Sequence, residues 1–148
     1  MPEKHKYEIG IAKETVLNIL HTQNFVVEKL GEVFKAHDLS TEQYNVLRIL
    51  RGRNGKPANM CSIQENMISR TSNTTRLVDK LLMKGYVTRD ICPQNRRKIE
   101  VNITKKGLTA LAGVDPIVDA VESKMADALS HGELQTLNTL LEKYRSSQ

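Results

Sequence analysis

The sequence of 148 residues predicts a mainly α-helical fold that carries one small β-hairpin. Three observations predict it. Apolar residues recur every three or four positions over long stretches near both ends of the chain, as in amphipathic helices. Two shorter helical segments with a break between them occupy residues 62–84. Apolar and polar residues then alternate over two short stretches, which is the period of β-strands.

The first third of the chain is predicted to form one long helix. Residues 9–35 carry apolar side chains at helical spacing and contain no proline. At about 1.5 Å per residue this helix would be about 40 Å long, more than a small core can cover, so we expect part of it to pack on another subunit. A second helix should begin at Ser40, which has capping-box spacing with Gln43, and end in the turn-forming run 52–57. The residues that mark its buried face are Tyr44, Leu47 and Leu50.

Two short helices joined by a tight turn follow, the arrangement called a helix-turn-helix. Ser62 and Glu65 have capping-box spacing and predict the start of the first helix. Ser72 is expected to cap the second, which runs to Lys84 and stops at Gly85. One side of this second helix is polar. The residues of its opposite, buried side are Thr74, Leu77, Val78, Leu81 and Leu82.

The remaining elements are a hairpin and two further helices. Residues 86–91 and 98–103 are predicted as strands, and residues 92–97 as the loop between them. Thr104 should cap a helix that Pro116 kinks or breaks. A last helix should begin at Ser130, which has capping-box spacing with Glu133.

The positive charge of the chain is concentrated in one segment. The net charge is +5, and residues 72–106 alone contain nine basic and only three acidic residues. A concentrated basic segment is typical of a surface that binds a polyanion. Charge runs are also common on solvated surfaces, so charge by itself leaves both interpretations open.

Double-stranded DNA is the expected partner, because a basic hairpin follows directly after a helix-turn-helix. The N-terminal residues of a recognition helix face base edges in the major groove, and lysines further along neutralise phosphates. Arginines at a hairpin tip can enter the minor groove, although taken alone they are more typical of exposed surface charges; their place directly after a helix-turn-helix favours the contact. The residues assigned to DNA contact are Ser72, Asn73, Thr75, Arg76, Lys80, Lys84, Arg96 and Arg97.

From residue 39 to residue 107 the sequence resembles the MarR (multiple antibiotic resistance regulator) family of winged helix-turn-helix proteins. The stretches that carry the resemblance are 39–47, 75–81, 85–87, 95–97 and 103–107. The resemblance implies three regions. They are an N-terminal dimerisation helix (1–38), a winged helix-turn-helix DNA-binding domain (39–107) and C-terminal dimerisation helices (108–148).

The resemblance also implies a function: a transcriptional regulator that binds a pseudo-palindromic operator as a homodimer. We expect it to act in the cytoplasm as a repressor that a small-molecule effector releases. Activation is the open alternative, because the sign depends on where the operator lies relative to the promoter. Arg97 matches the arginine of the family's Asp-x-Arg wing motif. Asn95 departs from the aspartate, so we expect an amide to hydrogen-bond the guanidinium instead. The alternative is a winged helix that serves as a protein–protein assembly module without specific DNA binding.

Several classes of function find no support in the sequence. No Gly-rich phosphate loop, nucleophile elbow or metal-binding helix motif occurs, so we expect neither an enzyme nor a cofactor. The four histidines lack metal-ligand spacing, and Cys61 and Cys92 form no Cys-x-x-Cys pair and are interpreted as ordinary thiols. No apolar run approaches the about 20 residues that span a membrane, which favours a cytoplasmic protein. The sequence assigns no ligand residues.

Overall fold

The computed structural model describes residues 10–70 and 72–146. This part of the chain contains six helices and one three-stranded sheet, so the predicted mainly α fold with a hairpin is confirmed. The elements are α1 (Ile11–Ala36), α2 (Thr41–Arg51), β1 (Ala58–Asn59), α3 (Met60–Asn66), α4 (Thr74–Met83), β2 (Val87–Cys92), β3 (Asn95–Ile103), α5 (Lys105–Ala126) and α6 (His131–Ser146).

One hydrophobic core holds the middle elements together. Its fully buried side chains come from α1, α2, β1, α3, α4, β3 and α5, and they include Phe34, Leu47, Ile63, Leu81 and Val101. Each contributes about 1.5–3 kcal/mol by leaving water. The buried face predicted for α2 is confirmed. The buried face predicted for α4 is confirmed at Thr74, Val78 and Leu81, while Leu77 and Leu82 are half-buried.

The helix starts agree with the predictions in α2 and differ in α3 and α4. Ser40 and Gln43 form the predicted capping box. The prediction that Ser62 caps α3 was wrong, because the Asn59 Oδ1 accepts the Ser62 N–H at 2.7 Å and the helix begins three residues earlier than that pair implied. Ser72 as the cap of α4 was also wrong, because Asn73 occupies that position. Asparagine caps helices as well as serine does, so spacing alone did not separate these residues.

The sheet has the strand order β1-β3-β2, and all its pairs are antiparallel. No strand was predicted between the second and third helices, yet Ala58 and Asn59 pair with Val101 and Glu100 and so add the third strand. Two residues are too few to show the alternation that predicts a strand. The predicted loop 92–97 was also wrong in its bounds, because β2 ends at Cys92 and β3 begins at Asn95.

The C-terminal helices begin where the sequence placed them. The Thr104 Oγ1 accepts the Gly107 N–H at 3.1 Å, and Ser130 and Glu133 form the predicted capping box. Pro116 does not break α5, which is helical from end to end. Burial of the neighbouring Val114 and Val118 stabilises the helix across the position where proline removes a backbone hydrogen bond. No helix in residues 10–70 and 72–146 is long and apolar enough to cross a membrane.

Candidate nucleic-acid interface

Helix α4 presents the polar side chains that the sequence assigned to DNA contact. Thr75, Arg76 and Lys80 are exposed, and Ser72 is half-buried just before the helix. The helix ends at Gly85, whose φ of +74° is the left-handed conformation that glycine adopts at low cost. The structure therefore separates the two sides of α4 as the sequence predicted.

Asn73, one of the predicted DNA contacts, also caps the N-terminus of α4. Its Oδ1 accepts the Arg76 N–H at 3.1 Å, which satisfies one of the unpaired amides at the start of α4. Only one lone pair of that oxygen and the Nδ2 donors remain available to a base. Asn73 thus fixes the backbone beneath Arg76, a role that the sequence analysis did not assign to it.

An open groove of about 500 Å³ runs along the start of α4. Four of the predicted contact residues line it, namely Ser72, Asn73, Arg76 and Lys80. Its other wall includes Ser40, Glu42 and Gln43 at the N-terminal end of α2. The groove therefore joins two helix starts, two basic side chains and one carboxylate.

The turn between α3 and α4 is held by two amide side chains that the sequence analysis missed. Gln64 accepts a hydrogen bond from the Thr74 hydroxyl and donates one to the Arg70 carbonyl. The Asn45 Oδ1 on α2 accepts the Ile68 N–H at 2.9 Å. No sequence pattern indicates such contacts, because each joins residues that only the folded chain brings together.

Lys84 lies apart from the groove. Its Nζ donates to the Asp38 carbonyl and lies 3.4 Å from the Asp38 carboxylate Oδ2, so it ties the end of α4 to the connection between α1 and α2. A second ion pair joins α4 to the wing, which is the hairpin formed by β2 and β3, since the Arg89 Nη1 lies 2.5 Å from the Asp79 Oδ1. Lys84 and Arg89 are therefore both paired with carboxylates, and both pairs hold α4 in position.

The wing is a hairpin with a tight turn and an irregular tip. The pairing changes from Ile91 with Ile99 to Cys92 with Asn95, so three residues of β3 at the tip have no paired position in β2. These three residues are Arg96, Arg97 and Lys98, and all are exposed. A bulge of this kind re-aims the side chains that it carries.

Asn95 fixes the backbone of this tip. Its Oδ1 accepts the Arg97 N–H at 3.0 Å. The expected hydrogen bond from Asn95 to the Arg97 guanidinium is therefore not the contact that the structure shows. The Arg97 side chain is exposed, and its backbone is anchored by Asn95.

A polar cluster joins α2 to α5. Arg51 donates to both carboxylate oxygens of Asp115, and the Tyr44 hydroxyl donates to Asp115 Oδ1 at 3.2 Å. The hydrogen bond from Arg51 holds the pKa of Asp115 below its ordinary value. Burial, followed by the Asp115 charge, raises the pKa of Tyr44, whose ring stacks on Phe34 with centroids 4.3 Å apart. No pattern in the sequence indicated this cluster.

Metal and thiol chemistry find little support in the described residues. Among them, no group of three or more His, Cys, Asp or Glu side chains could hold a metal ion. Cys61 is exposed on α3, Cys92 is half-buried at the end of β2, and both are free thiols. His5 lies outside the described residues.

Residues 39–99 match the model of the MarR family. The chain is 28% identical over 109 residues to the HTH-type transcriptional regulator YkoM of Bacillus subtilis, over 74% of this chain and 70% of that protein. It is 28% identical over 122 residues to the HTH-type transcriptional repressor IacR of Pseudomonas putida, over 82% of this chain and 69% of that protein.

Solved structures share the fold over most of the chain. A MarR-like transcription regulator from Bacillus cereus superposes with a TM-score of 0.81 at 25% identity, over 90% of this chain and 95% of that one. BpsR of Bordetella bronchiseptica, whose DNA binding is regulated by 6-hydroxynicotinic acid, has a TM-score of 0.84 at 15% identity, over 96% and 100% of the two chains. Members of the MarR family are transcriptional regulators rather than enzymes, and the winged helix of this chain matches that family's model over residues 39–99, within a fold that MarR-like regulators share.

Proposed function

We propose that this protein is a sequence-specific repressor that binds a pseudo-palindromic operator as a homodimer. The observation that carries the proposal is the groove along α4, the proposed recognition helix. Arg76 and Lys80 line this groove and are exposed on the first two turns of α4. An arginine can donate two hydrogen bonds to the edge of guanine, and a lysine can neutralise a phosphate.

The proposed DNA contacts divide into two sets. In the major groove, Arg76 and Thr75 read base edges, Ser72 and Asn73 contact bases or phosphates, and Lys80 contacts a phosphate. In the minor groove, the exposed tip of the wing inserts arginine. The residues of that second set are Arg96 and Arg97. We place Lys84 outside the interface because it contacts Asp38.

The homodimer is supported by apolar surface that one chain leaves uncovered. Helix α6 has no buried residue, although a helix of 16 residues is only marginally stable without packing. Large apolar side chains on three helices are exposed: Leu20, Phe25 and Val27 on α1, Ile117 on α5, and Leu137 and Leu140 on α6. A two-fold dimer through these helices would place two recognition helices about 34 Å apart, one turn of DNA.

Repression and release by a small molecule are proposed from relatives. IacR is named a repressor, and 6-hydroxynicotinic acid regulates DNA binding by BpsR. We propose that a small-molecule effector likewise releases this protein from its operator, in the cytoplasm. The proposal assigns no residues to the effector.

The test begins with selection of a binding site from a library of random DNA duplexes on the purified protein. We expect one palindromic sequence with half-sites about 10 bp apart, and an affinity that falls steeply with salt because each neutralised phosphate adds about 0.9 to the log–log slope. A winged helix that serves only protein assembly would select no sequence. That result, or binding that salt does not weaken, would contradict the proposal.

A further inference from the structure

We infer that Gln64 is a positioning residue for DNA recognition: its side-chain amide sets the recognition helix α4 against α3. The inference rests on the proposed function, since it concerns the same DNA-binding surface. It assigns to Gln64 an effect on sequence-specific binding without any contact between Gln64 and DNA.

The contacts of Gln64 span the turn of the helix-turn-helix. Its Oε1 accepts the Thr74 hydroxyl, and its Nε2 donates to the Arg70 carbonyl. Thr74 is the first residue of α4 and is only 5% exposed, so its hydroxyl has little access to water. One side chain on α3 therefore holds both the exit of the turn and the first residue of the recognition helix.

The chemistry requires an amide at position 64. One atom of the group must accept and another must donate, which a carboxylate, a hydroxyl or a thioether cannot do at this length. If the amide is lost, the buried Thr74 hydroxyl is left without its acceptor, which is unfavourable if the surroundings do not change. A shift of the start of α4 toward water would relieve that cost.

Such a shift affects the two kinds of DNA binding differently. Base contacts need the side chains near Arg76 within hydrogen-bond range of specific atoms, so a displacement of about 1 Å weakens them. Non-specific binding depends on attraction between basic side chains and phosphates, which changes little over that distance. A residue that positions α4 is therefore expected to affect specific binding far more than non-specific binding.

The test compares Gln64→Met with wild type on two duplexes, one carrying the selected site and one with the same bases scrambled. We expect the affinity for the selected site to fall about tenfold and the affinity for the scrambled duplex to stay within about twofold. Thr74→Val removes the same hydrogen bond from its other end and should show the same pattern. The double variant should lose little more than either single one, because both remove one shared contact.

Asn66→Ala is the matched control, since Asn66 lies on the same helix but its Nδ2 donates only within α3, to the Ser62 carbonyl. Thermal unfolding identifies any variant that is not folded at the assay temperature. Gln64→Glu keeps the acceptor for Thr74 and removes only the donor to the Arg70 carbonyl, so its loss of specific affinity should be smaller than that of Gln64→Met. The inference would be overturned if Gln64→Met and Thr74→Val lost affinity equally for both duplexes, or if neither variant lost affinity for the selected site. A wild-type protein that does not prefer the selected site would instead contradict the proposed function.

Discussion

Asparagine side chains fix three turns around the proposed DNA surface. The Oδ1 atoms of Asn59, Asn73 and Asn95 each accept a backbone N–H two or three residues further along the chain. A short side chain that ends in an acceptor reaches those amides where the chain changes direction. These contacts set the start of α3, the start of α4 and the tip of the wing, so they determine where the basic side chains stand.

Arg97→Ala tests the wing at the scale of one residue. Arg97 is exposed at the unpaired tip of β3, and we expect its removal to weaken binding to the selected site and to lower the salt slope by up to about 0.9, since one cationic charge is lost between the phosphates of the minor groove. Fluorescence anisotropy over a series of salt concentrations measures both quantities. Lys56→Ala is the control, because Lys56 is exposed beyond the C-terminal end of α2, whereas the groove lies at the N-terminal end.

Asn95→Ala should give a different result. It removes the acceptor for the Arg97 N–H but no charge, so we expect about fivefold weaker specific binding with an unchanged salt slope. The same titrations measure it. An Asn95→Ala protein that binds as wild type does would show that the anchor of the Arg97 backbone is not needed for DNA binding.

Helix α5 links the winged helix to the rest of the chain. Its first turn packs on the residue before β2, where the Gly107 Cα lies against the Tyr86 carbonyl. Its middle is held to α2 through Asp115 and Arg51. The Tyr44 hydroxyl adds a third connection to Asp115. These contacts connect α5 both to α2 and to the residue before β2.

Gly107→Ala tests the close approach at the start of α5. A Cβ at Gly107 would lie 2.3 Å from the Tyr86 carbonyl oxygen, so we expect the free energy of unfolding to fall by about 3 kcal/mol. Gly113→Ala on the same helix is the matched control, because a Cβ there meets nothing within 4 Å and alanine favours helix. Urea unfolding at one protein concentration measures both. A Gly107→Ala protein as stable as wild type would show that Gly107 does not approach the Tyr86 carbonyl this closely.

Asp115→Asn tests the link between α2 and α5. Because Arg51 lowers the pKa of Asp115 in the folded state, the pair stabilises the protein at pH values above the unfolded pKa of about 3.9, and this contribution is lost as the pH falls through the folded pKa. We expect Asp115→Asn to cost up to about 1 kcal/mol at neutral pH, since both side chains are partly solvated, and the difference from wild type to shrink below about pH 4.

Urea unfolding over a pH series measures the effect of Asp115→Asn. Glu122→Gln, at an exposed position of the same helix, is the control for the loss of one carboxylate. A difference between wild type and Asp115→Asn that stays constant down to acid pH would show that the ion pair does not contribute.

At the scale of the whole molecule, many large apolar residues lie outside the buried core. Single ones, such as Met83, are exposed on the winged helix. A larger set is exposed on α1, α5 and α6, where Leu20, Leu137 and Leu140 contribute to it. An exposed apolar surface of this extent is typical of an interface. The uncovered surface is therefore the whole-molecule feature on which the proposed homodimer depends.

Leu140→Lys tests the homodimer. Leu140 is 56% exposed in the single chain, and a dimer would bury it twice by symmetry. We expect a lysine there to weaken dimerisation by about a hundredfold or more and to reduce operator affinity with it. Sedimentation velocity measures the oligomeric state. Met83→Lys on α4 is the control, because Met83 is 88% exposed outside the three helices, and a wild-type monomer would contradict the proposal.

The sequence by itself determined the elements whose physics is local. The periods of three to four and of two residues identified the long helices and the hairpin, and the capping patterns at Ser40, Thr104 and Ser130 identified three helix starts. These features depend on neighbours within about four positions, which a sequence displays directly.

Only the tertiary structure decided the features that depend on distant residues. The pairing of β1 with β3, the link from Arg51 to Asp115 and the contact of Lys84 with Asp38 join positions 40 or more apart. The choice of Asn73 over Ser72 as the cap of α4 was also decided there, because adjacent residues with similar capping preference differ only in the backbone path that packing imposes. The polar face of the recognition helix was thus predictable, whereas the contacts that hold it in place were not.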